Sequence, residues 1–337
     1  MRGSTMLSAI VVGALCSGAL PAMAAECGPL NLLTTLPVTP VGQPGNVVTV
    51  QAVIGNKPVS LLVDTGDSFS LINKNIVDEL KLPTRPSRVQ LVDVAGQKTT
   101  QEVRLPSITL GRVRQEGVYF IVSGGTNPVG GRPDAYDGIL GADFLLNVDV
   151  DLDYGAGKLN LISPQHCEGK VVYWQAPVVA VVPMRVDTQG KITFPLTLDG
   201  HTIKAILDTG ATNTALNLDV ARRVFNIDTN DPDLQKVGEL KGGYTAQIYN
   251  RKFKTLSIEG VTVTDPVITL LPNMVSLTSE QRSTGSLVRD TDKQAPDMLL
   301  GMSVLNKLHI YIAAHEGKLY ITAAAPQSQI QTAPQAP

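Results

Sequence analysis

Short apolar segments, interrupted by glycine, proline and polar residues, run along most of the 337-residue chain. The segments are rich in Val, Ile, Leu and Thr, and few stretches have the spacing of an amphipathic helix. β-Branched side chains pack well on a pleated surface, and glycine and proline are typical of the turns between strands. The pattern therefore predicts an all-β protein with two short helices, from about Asn75 to Leu82 and from Asp219 to Phe225.

The strongest regularity in the chain is an internal repeat. A turn, an apolar strand and an acidic loop occur at residues 54–66 and again at residues 198–210, an offset of 144 residues. A second shared segment, in which two apolar residues precede a glycine, occurs within residues 137–141 and 297–301, at an offset of 160. The larger offset predicts an insertion in the second copy, and the polar stretch 272–296 is the obvious place for it. Duplicated sequence predicts two similar lobes.

The repeat sets the predicted boundaries of the lobes. The connection between the copies contains the only tryptophan, Trp174, and leads into the apolar run 178–182, which we expect to be a strand in a sheet shared by the lobes. The end of the chain is rich in Ala, Pro and Gln, a composition typical of disorder. The predicted division is a signal peptide (1–24), an N-terminal segment (25–35), lobe 1 (36–166), the connection (167–180), lobe 2 (181–323) and a disordered tail (324–337).

Each copy also offers a hairpin between its two shared segments. Gly96 marks the tip of the first hairpin, and Gly242 with Gly243 marks the tip of the second. Glycine adopts positive φ at little steric cost, which tight hairpin turns require. We therefore expect one glycine-tipped hairpin in each lobe.

The N-terminus has the three parts of a secretory signal. Arg2 supplies positive charge, residues 6–20 form an apolar stretch, and residues 22–24 match an Ala-x-Ala cleavage site. The alternative is an uncleaved membrane anchor, but the apolar stretch is short for a span and is interrupted by glycine. We therefore expect cleavage, no stable membrane insertion afterwards, and a periplasmic or secreted protein.

The cysteine count fits an exported protein. Cleavage would remove Cys16 and leave only Cys27 and Cys167. An even pair of cysteines in an oxidising compartment is most simply one disulfide, with two free thiols as the alternative. The expected bond would tie the N-terminal segment to the end of lobe 1.

Charge and side-chain spacing argue against two classes of partner. The formal net charge is −2 with acids and bases mixed, so the basic stripe of a nucleic-acid-binding protein is missing. Asp149, Asp151 and Asp153 alternate with apolar residues, and we interpret them as the solvent-facing side of a half-buried strand rather than as calcium ligands. The histidines show no zinc-motif spacing. We predict no nucleic-acid partner, no metal and no cofactor.

The acidic loop of each copy has the sequence Asp-Thr-Gly, at residues 64–66 and 208–210. Each aspartate follows three apolar residues, so it emerges from a core where a lone charge is costly. The cost falls if Asp64 and Asp208 meet and share one proton, because two adjacent carboxyls cannot both ionise readily. One can then act as a general base toward water while the other donates to a carbonyl. The alternative, two ordinary Asp-Gly turns, leaves the equivalent placement in both copies unexplained.

The neighbours of the two aspartates fit supporting roles. Each threonine can hydrogen-bond to the opposite loop and hold the lobes in register. The following glycines let the backbone turn beside the carboxyls and leave room for water, and the glycine of each second shared segment is expected to pack behind a loop. The predicted loop-support residues are Thr65, Gly66, Thr209, Gly210, Gly141 and Gly301.

Two Asp-Thr-Gly loops, each followed by a short helix and later by an apolar-apolar-Gly segment, resemble the aspartic peptidase superfamily of pepsins and retropepsins. The resemblance covers most of residues 36–323, and both Ala211 and the short lobes are retropepsin-like, whereas two lobes in one chain are pepsin-like. It implies an all-β, two-lobed acid-protease fold of bacterial single-chain type, with the two aspartates at the floor of a cleft and a hairpin flap or flaps above it. The flap candidates are Gly96, Gly242, Gly243 and Tyr244.

Two positions depart from the family pattern. Asp67 follows the first loop where the family usually has Ser, Thr or Ala, and we expect its carboxylate to point to solvent, although it could instead raise the pKa of the aspartate pair. The first hairpin lacks the tyrosine of pepsin flaps, and Tyr244 beside the second tip is the candidate substitute.

The main functional prediction is an aspartic endopeptidase that acts on peptide or protein substrates. Because one chain carries both aspartates, a monomer is expected. The alternative is a catalytically inactive peptidase-like protein that binds peptides or a partner protein, but binding alone gives no reason to retain a costly carboxyl pair. An all-β carbohydrate-binding or adhesion module would explain the repeat but not the paired acids.

Overall fold

Strands joined by short turns make up both lobes, and the all-β prediction is confirmed. The computed structural model describes residues 27–42, 47–92, 98–123, 136–241, 245–272 and 296–325. The predicted signal peptide, most of the predicted insertion and most of the predicted tail lie outside these ranges, as do the flap candidates Gly96, Gly242, Gly243 and Tyr244. Within the described ranges, every helix is too short or too polar to span a bilayer.

Lobe 1 contains twelve strands and two short helices within the described residues. Helix α1 (Lys74–Glu79) follows the first acidic loop, as predicted, and α2 (Ala142–Leu145) follows Gly141. The strands are β1 (Leu32–Val41), β2 (Val47–Ile54), β3 (Lys57–Val63), β4 (Leu71–Asn73), β5 (Thr84–Val92), β6 (Lys98–Arg104), β7 (Ser107–Leu110), β8 (Val113–Glu116), β9 (Tyr119–Ser123), β10 (Gly138–Leu140), β11 (Asp149–Asp153) and β12 (Lys158–Ile162).

Lobe 2 repeats this order of elements. Helix α3 (Leu218–Phe225) begins where Asn217 accepts a hydrogen bond from the N–H of Asp219 and ends at Asn226, whose left-handed backbone stops it. Helix α4 (Met302–Leu305) follows Gly301. The strands are β13 (Ala180–Pro183), β14 (Arg185–Val186), β15 (Ile192–Leu198), β16 (His201–Leu207), β17 (Ala215–Asn217), β18 (Gln235–Lys241), β19 (Thr245–Lys252), β20 (Thr255–Ile258), β21 (Val261–Thr264), β22 (Val267–Leu271), β23 (Met298–Leu300), β24 (Leu308–Ala313) and β25 (Lys318–Ala323).

Strands β3 and β16 carry the acidic loops and lie between neighbours on both sides. In lobe 1, β3 pairs antiparallel with β2 and parallel with β10, and β10 pairs with β4. In lobe 2, β16 pairs in the same way with β15 and β23, and β23 pairs with β17. Both strands are buried along their last three residues, 61–63 and 205–207. Each acidic loop therefore starts at a point that the surrounding sheet holds in place.

Strands of both lobes form a shared sheet, which is six strands wide in the part described and has the order β1-β12-β11-β24-β25-β13. Through β1, this sheet continues into β2 and β3 of lobe 1. The lobes meet where β11 pairs antiparallel with β24, with Leu152 opposite Ile310. Strand β13 lies in the apolar run after the connection and pairs with β25, so the expectation of a shared sheet is confirmed. One face of this sheet packs into the main hydrophobic core. The shared sheet thus links the two lobes that carry the acidic loops.

The other face of the shared sheet corrects a sequence prediction. Asp149 and Asp151 were expected to face solvent, but they are 1% and 0% exposed. The connection between the lobes covers this face with Trp174, whose ring stacks on His309 at 4.0 Å. Asp153 alone of the three acids is partly exposed. The period-two pattern was correct, but the polar side faces a covering segment instead of water.

The two buried acids are tolerated because each has hydrogen-bonding partners. An oxygen of Asp149 lies 2.5 Å from Nε2 of His166 and accepts a hydrogen bond from the Tyr311 hydroxyl at 3.0 Å. Asp151 lies 2.5 Å from Nε2 of His309 and accepts a hydrogen bond from the amide of Asn160 at 2.9 Å. Buried carboxylates without such partners would cost several kcal/mol each, on the order of the desolvation penalty of an ion.

The predicted disulfide between Cys27 and Cys167 is present, with the two Cα atoms 4.7 Å apart. It fixes the segment before β1 to the start of the connection, and the N–H of Cys167 also donates to the carbonyl of Gly28 at 3.0 Å. The bond therefore closes the edge of the shared sheet at which β1 pairs with β12.

Replacing both Cys27 and Cys167 by alanine is expected to lower the free energy of unfolding by up to about 5 kcal/mol. The bond spans 140 residues, and opening a loop of this length returns conformational entropy to the unfolded chain. Denaturant-induced unfolding of the oxidised protein and the variant measures the difference, with the reduced protein as the control. Equal unfolding midpoints for all three would contradict the expectation.

Candidate active site

The first Asp-Thr-Gly loop leaves β3 and turns at once. The N–H of Asp64 donates to the carbonyl of Leu140 on β10 at 3.1 Å, which continues the parallel pairing into the loop. Oδ1 of Asp64 accepts hydrogen bonds from the N–H groups of Gly66 at 2.7 Å and Asp67 at 3.0 Å. The carboxyl is therefore oriented by its own loop backbone.

The second loop repeats this geometry. The N–H of Asp208 donates to the carbonyl of Leu300 on β23 at 3.0 Å. Oδ1 of Asp208 accepts from the N–H groups of Gly210 at 3.1 Å and Ala211 at 2.9 Å. The same contacts in both lobes follow from the same sequence after the same kind of strand.

The two aspartates, called the dyad below, approach each other across the lobe interface. A methyl group added to Gly66 would lie 2.3 Å from Oδ1 of Asp208, and one added to Gly210 would lie 2.0 Å from Oδ2 of Asp64. Each carboxyl thus lies where a side chain at the glycine of the opposite loop would otherwise be, and only glycine leaves this space open. The structure brings together the two acids that the repeat singled out.

Reciprocal hydrogen bonds of two threonines join the loops. The hydroxyl of Thr65 donates to the carbonyl of Leu207 at 2.9 Å, and the hydroxyl of Thr209 donates to the carbonyl of Val63 at 2.7 Å. Each hydroxyl also accepts the backbone N–H of the other threonine, at 3.0 and 3.2 Å. Thr65 and Thr209 are 1% and 0% exposed, so these four bonds are made away from water. They hold the two loops that carry the carboxyls against each other.

Gly141 and Gly301 lie directly behind the loops. A methyl group on Gly141 would lie 2.6 Å from the carbonyl of Phe69, and one on Gly301 would lie 2.4 Å from the carbonyl of Asn213. Both contacts are with backbone, so they leave no room for a side chain. The N–H of Gly141 also donates to the Ser70 hydroxyl at 3.1 Å, which fastens the loop to the segment before α2.

Burial is the largest influence on the ionisation of the dyad. Both residues are partly exposed at the surface of the site, but the surrounding protein desolvates them. Burial raises the pKa of Asp64, although the positive charge of Lys191 and backbone N–H groups partly oppose the rise. Burial and the negative charge of Asp64 together raise the pKa of Asp208 to about 7. The dyad therefore retains a proton to higher pH than two isolated carboxyls would.

Asp67 is partly buried and does not simply point into solvent, which differs from the expectation. One of its carboxylate oxygens accepts the N–H of Phe69 at 3.4 Å, and its carbonyl accepts the N–H of Ala142 at 2.8 Å. Burial and the negative charges of Asp64 and Asp67 raise the pKa of Tyr136, whose buried ring lies beside the loop. The extra carboxylate is thus part of the surroundings of the dyad.

Sequence reasoning missed Tyr136 and Lys191. Tyr136 precedes the shared Asp-Gly-Ile-Leu-Gly segment, and no feature of the sequence marked it. Lys191 could have been found by extending the repeat, because the 144-residue offset places it opposite the apolar Val47. A lysine where the other copy has a buried valine is energetically costly, so this difference between the copies indicates a specific role for the lysine.

The described parts of the predicted hairpins are paired antiparallel strands. In lobe 1, β5 pairs with β6, and in lobe 2, β18 pairs with β19. The tips themselves lie outside the described residues. No group of three or more metal-ligating side chains occurs in the part of the chain that the structure describes.

Comparison with known families decides the classification. A family model described as aspartyl protease matches residues 50–144 and 194–304, more than half of the chain, and both matched regions contain an Asp-Thr-Gly loop. The chain belongs to the aspartyl protease family. The prediction of family from the two loops is therefore confirmed.

Two solved structures are similar to this chain over most of its length. The chain is similar to basic 7S globulin from soybean, with 12% identity, a TM-score of 0.50, and coverage of 90% of this chain and 98% of that chain. It is also similar to the aspartic proteinase from Irpex lacteus, with 14% identity, a TM-score of 0.48, and coverage of 88% and 98%. At these identities the likeness concerns the fold alone. No curated protein matches the chain.

Replacing Thr65 by valine is expected to lower the free energy of unfolding by about 2–6 kcal/mol. The change removes the hydroxyl and leaves the buried Leu207 carbonyl and Thr209 N–H without this partner, at about 1–3 kcal/mol each. Thr65→Ser keeps the hydroxyl and is the matched control. Denaturant unfolding measures both variants, and equal losses for valine and serine would contradict the role of the hydrogen bonds.

The raised pKa of Asp208 predicts a pH-dependent cost in stability. Because its folded pKa of about 7 lies above the unfolded value, its stabilising contribution is complete at low pH and is lost as the pH rises from about 4 to about 7. Asp208→Asn removes this loss, so its unfolding free energy should rise relative to wild type across that range. Asp78→Asn, an exposed acid on α1, is the control. Parallel pH curves for Asp208→Asn and wild type would contradict the expectation.

Proposed function

We propose that this aspartyl protease family member is an aspartic endopeptidase in which Asp64 and Asp208 activate a water molecule. The observation that carries the proposal is the approach of each carboxyl to the glycine of the opposite Asp-Thr-Gly loop. Both pKa values are raised, which favours a dyad with one proton and one negative charge. Such a pair offers a base and an acid side by side.

The proposed roles follow from the hydrogen bonds of the two carboxyls. Backbone N–H groups of Gly66, Asp67 and Gly210 stabilise the charged form of Asp64, so we assign it the role of general base. Asp64 takes a proton from water as the water oxygen attacks the peptide carbonyl carbon. Asp208 donates its proton to the carbonyl oxygen, which gives a neutral tetrahedral diol. Asp64 then returns its proton to the leaving nitrogen, and Asp208 recovers a proton from the diol.

The same proposal covers the partners and the location of the protein. Peptide or protein segments are the expected substrates, and the proposed chemistry requires no metal or cofactor. Because one chain supplies both loops, a monomer is sufficient. The disulfide supports the proposal of a periplasmic or secreted protein with a cleaved signal peptide, since such bonds persist in oxidising compartments.

Replacing either aspartate by asparagine is expected to abolish peptide cleavage. Asp64→Asn removes the base and Asp208→Asn disables the acid, and each such group commonly contributes about 10²–10⁴-fold to the rate. The measurement is cleavage of a peptide library from acid to neutral pH, with Asp78→Asn as the exposed-acid control. Cleavage by wild type should also decline above pH 7, because Asp208 then loses the proton it donates.

Three outcomes separate the possible interpretations. Loss of cleavage in both asparagine variants, with activity retained in the control, supports the shared dyad. Cleavage that survives the loss of one aspartate contradicts it. Binding of peptides by wild type without cleavage at any pH would favour the inactive, peptide-binding alternative.

A further inference from the structure

Lys191 is a buried lysine of lobe 2 that reaches the acidic loop of lobe 1. It is 5% exposed, and its ammonium donates a hydrogen bond to the carbonyl oxygen of Gly66. Lysine is rarely buried, because removing an ammonium group from water costs several kcal/mol unless other groups compensate. The mechanism proposed above gives this charge no role. Its burial beside the dyad indicates a compensating negative charge at the lobe interface.

A tight turn before β15 directs Lys191 into the interface. Oδ1 of Asp187 accepts the N–H of Gln189 at 2.8 Å and the N–H of Lys191 at 3.0 Å. Gly190 lies in this turn with φ of +79°, and a methyl group there would lie 2.8 Å from Cβ of Ala142 on α2. The turn is therefore packed against lobe 1. The backbone that carries Lys191 is held in place from both lobes.

The position of Lys191 breaks the symmetry of the duplication. The residue at the matching place in lobe 1 is Val47, which is fully buried. A second departure occurs at Asp67, whose counterpart in lobe 2 is Ala211. Both departures are next to Gly66. The carbonyl of Gly66 accepts a hydrogen bond from the ammonium of Lys191, and Asp67 is the next residue in the chain. Lobe 1 thus has an additional acid, Asp67, and lobe 2 an additional base, Lys191, and both lie beside Gly66.

Several charged or titratable groups surround the dyad. Lobe 1 contributes Asp67 from the loop and Tyr136 from the segment before β10. On α2, the carboxylate of Asp143 accepts a hydrogen bond from the Ser70 hydroxyl. The positive charge of Lys191 acts on both aspartates and opposes the rise of both pKa values. The nearby acids disfavour ionisation of the dyad, because their charge has the same sign as an ionised carboxyl. The ammonium of Lys191 has the opposite sign and therefore favours ionisation of one dyad carboxyl.

We propose that Lys191 is a positioning residue for the dyad. Its hydrogen bond to Gly66 holds the first loop against lobe 2, and its positive charge sets the pH range in which the dyad carries one proton and one negative charge. The consequence for catalysis rests on the proposed peptidase function, whereas the electrostatic effect on the two carboxyls does not. Without this charge, the dyad would keep both protons to higher pH.

Lys191→Met tests the charge while keeping the length of the side chain. Both limbs of the pH profile of kcat/KM should move to higher pH by about one unit or more, since a nearby opposite charge commonly shifts a carboxyl pKa by about 1–3 units. On the acid limb, a shift of one unit corresponds to about tenfold lower kcat/KM at a given pH. Lys191→Arg keeps the charge and should restore the wild-type profile. An unchanged profile in Lys191→Met, with activity lowered equally at every pH, would overturn the proposal.

A second readout does not depend on turnover. Carbon-13 NMR titration of labelled aspartate carboxyls should show both Asp64 and Asp208 titrating at higher pH in Lys191→Met than in the wild type. If the wild type cleaves no peptide, the peptidase function fails while this titration still decides the role of Lys191. If the wild type cleaves peptides but the titration curves coincide, the role of Lys191 fails alone.

A double variant keeps the test decisive if Lys191→Met does not fold. Asp67→Ala combined with Lys191→Val places the residues of the other lobe, Ala211 and Val47, at both positions and leaves the net charge unchanged. Its dyad should titrate at higher pH than that of the Asp67→Ala single variant, because the two differ only in the lysine. Identical titration in these two variants would overturn the proposal.

Discussion

Two carboxyls that share one site cannot both carry a negative charge at low cost, and the site is arranged around this constraint. Asp64 and Asp208 come from different lobes, so their approach depends on how the lobes are held together. Burial raises both pKa values and makes the pair retain a proton. The reaction proposed for the dyad requires that arrangement, because it needs an acid and a base in one place.

Three layers of contact maintain the arrangement. The four hydrogen bonds of Thr65 and Thr209 join the loops directly. Behind them, Gly141 and Gly301 allow backbone to pack against backbone. Beneath both, the shared sheet makes the lobes parts of one framework. Lobe 2 also reaches into lobe 1 through Lys191, so the first loop is held by contacts from both lobes.

Local patterns in the sequence predicted the repeat, the two acidic loops, the helices after them and the disulfide. These features are encoded by residues close together in the chain or by a spacing that occurs twice. The buried face of β11 was not predictable in this way, because Asp149 and Asp151 find their partners in His166, His309 and the interlobe connection. Period-two alternation shows that a strand has two different faces, but not what covers the polar face. The repeat marks Lys191, which lies opposite the apolar Val47, but it does not indicate the acceptor of Lys191, which lies 125 residues away.

The central claim is that the two aspartates act as one unit across the lobe interface. Carbon-13 NMR titration of the Asp208 carboxyl in wild type and in Asp64→Asn tests this coupling most directly. Because the charge of Asp64 contributes to the raised pKa of Asp208, the variant should show Asp208 titrating at lower pH, by about one unit or more. The same titration midpoint in both proteins would contradict the account, since it would mean that the carboxyls ionise independently.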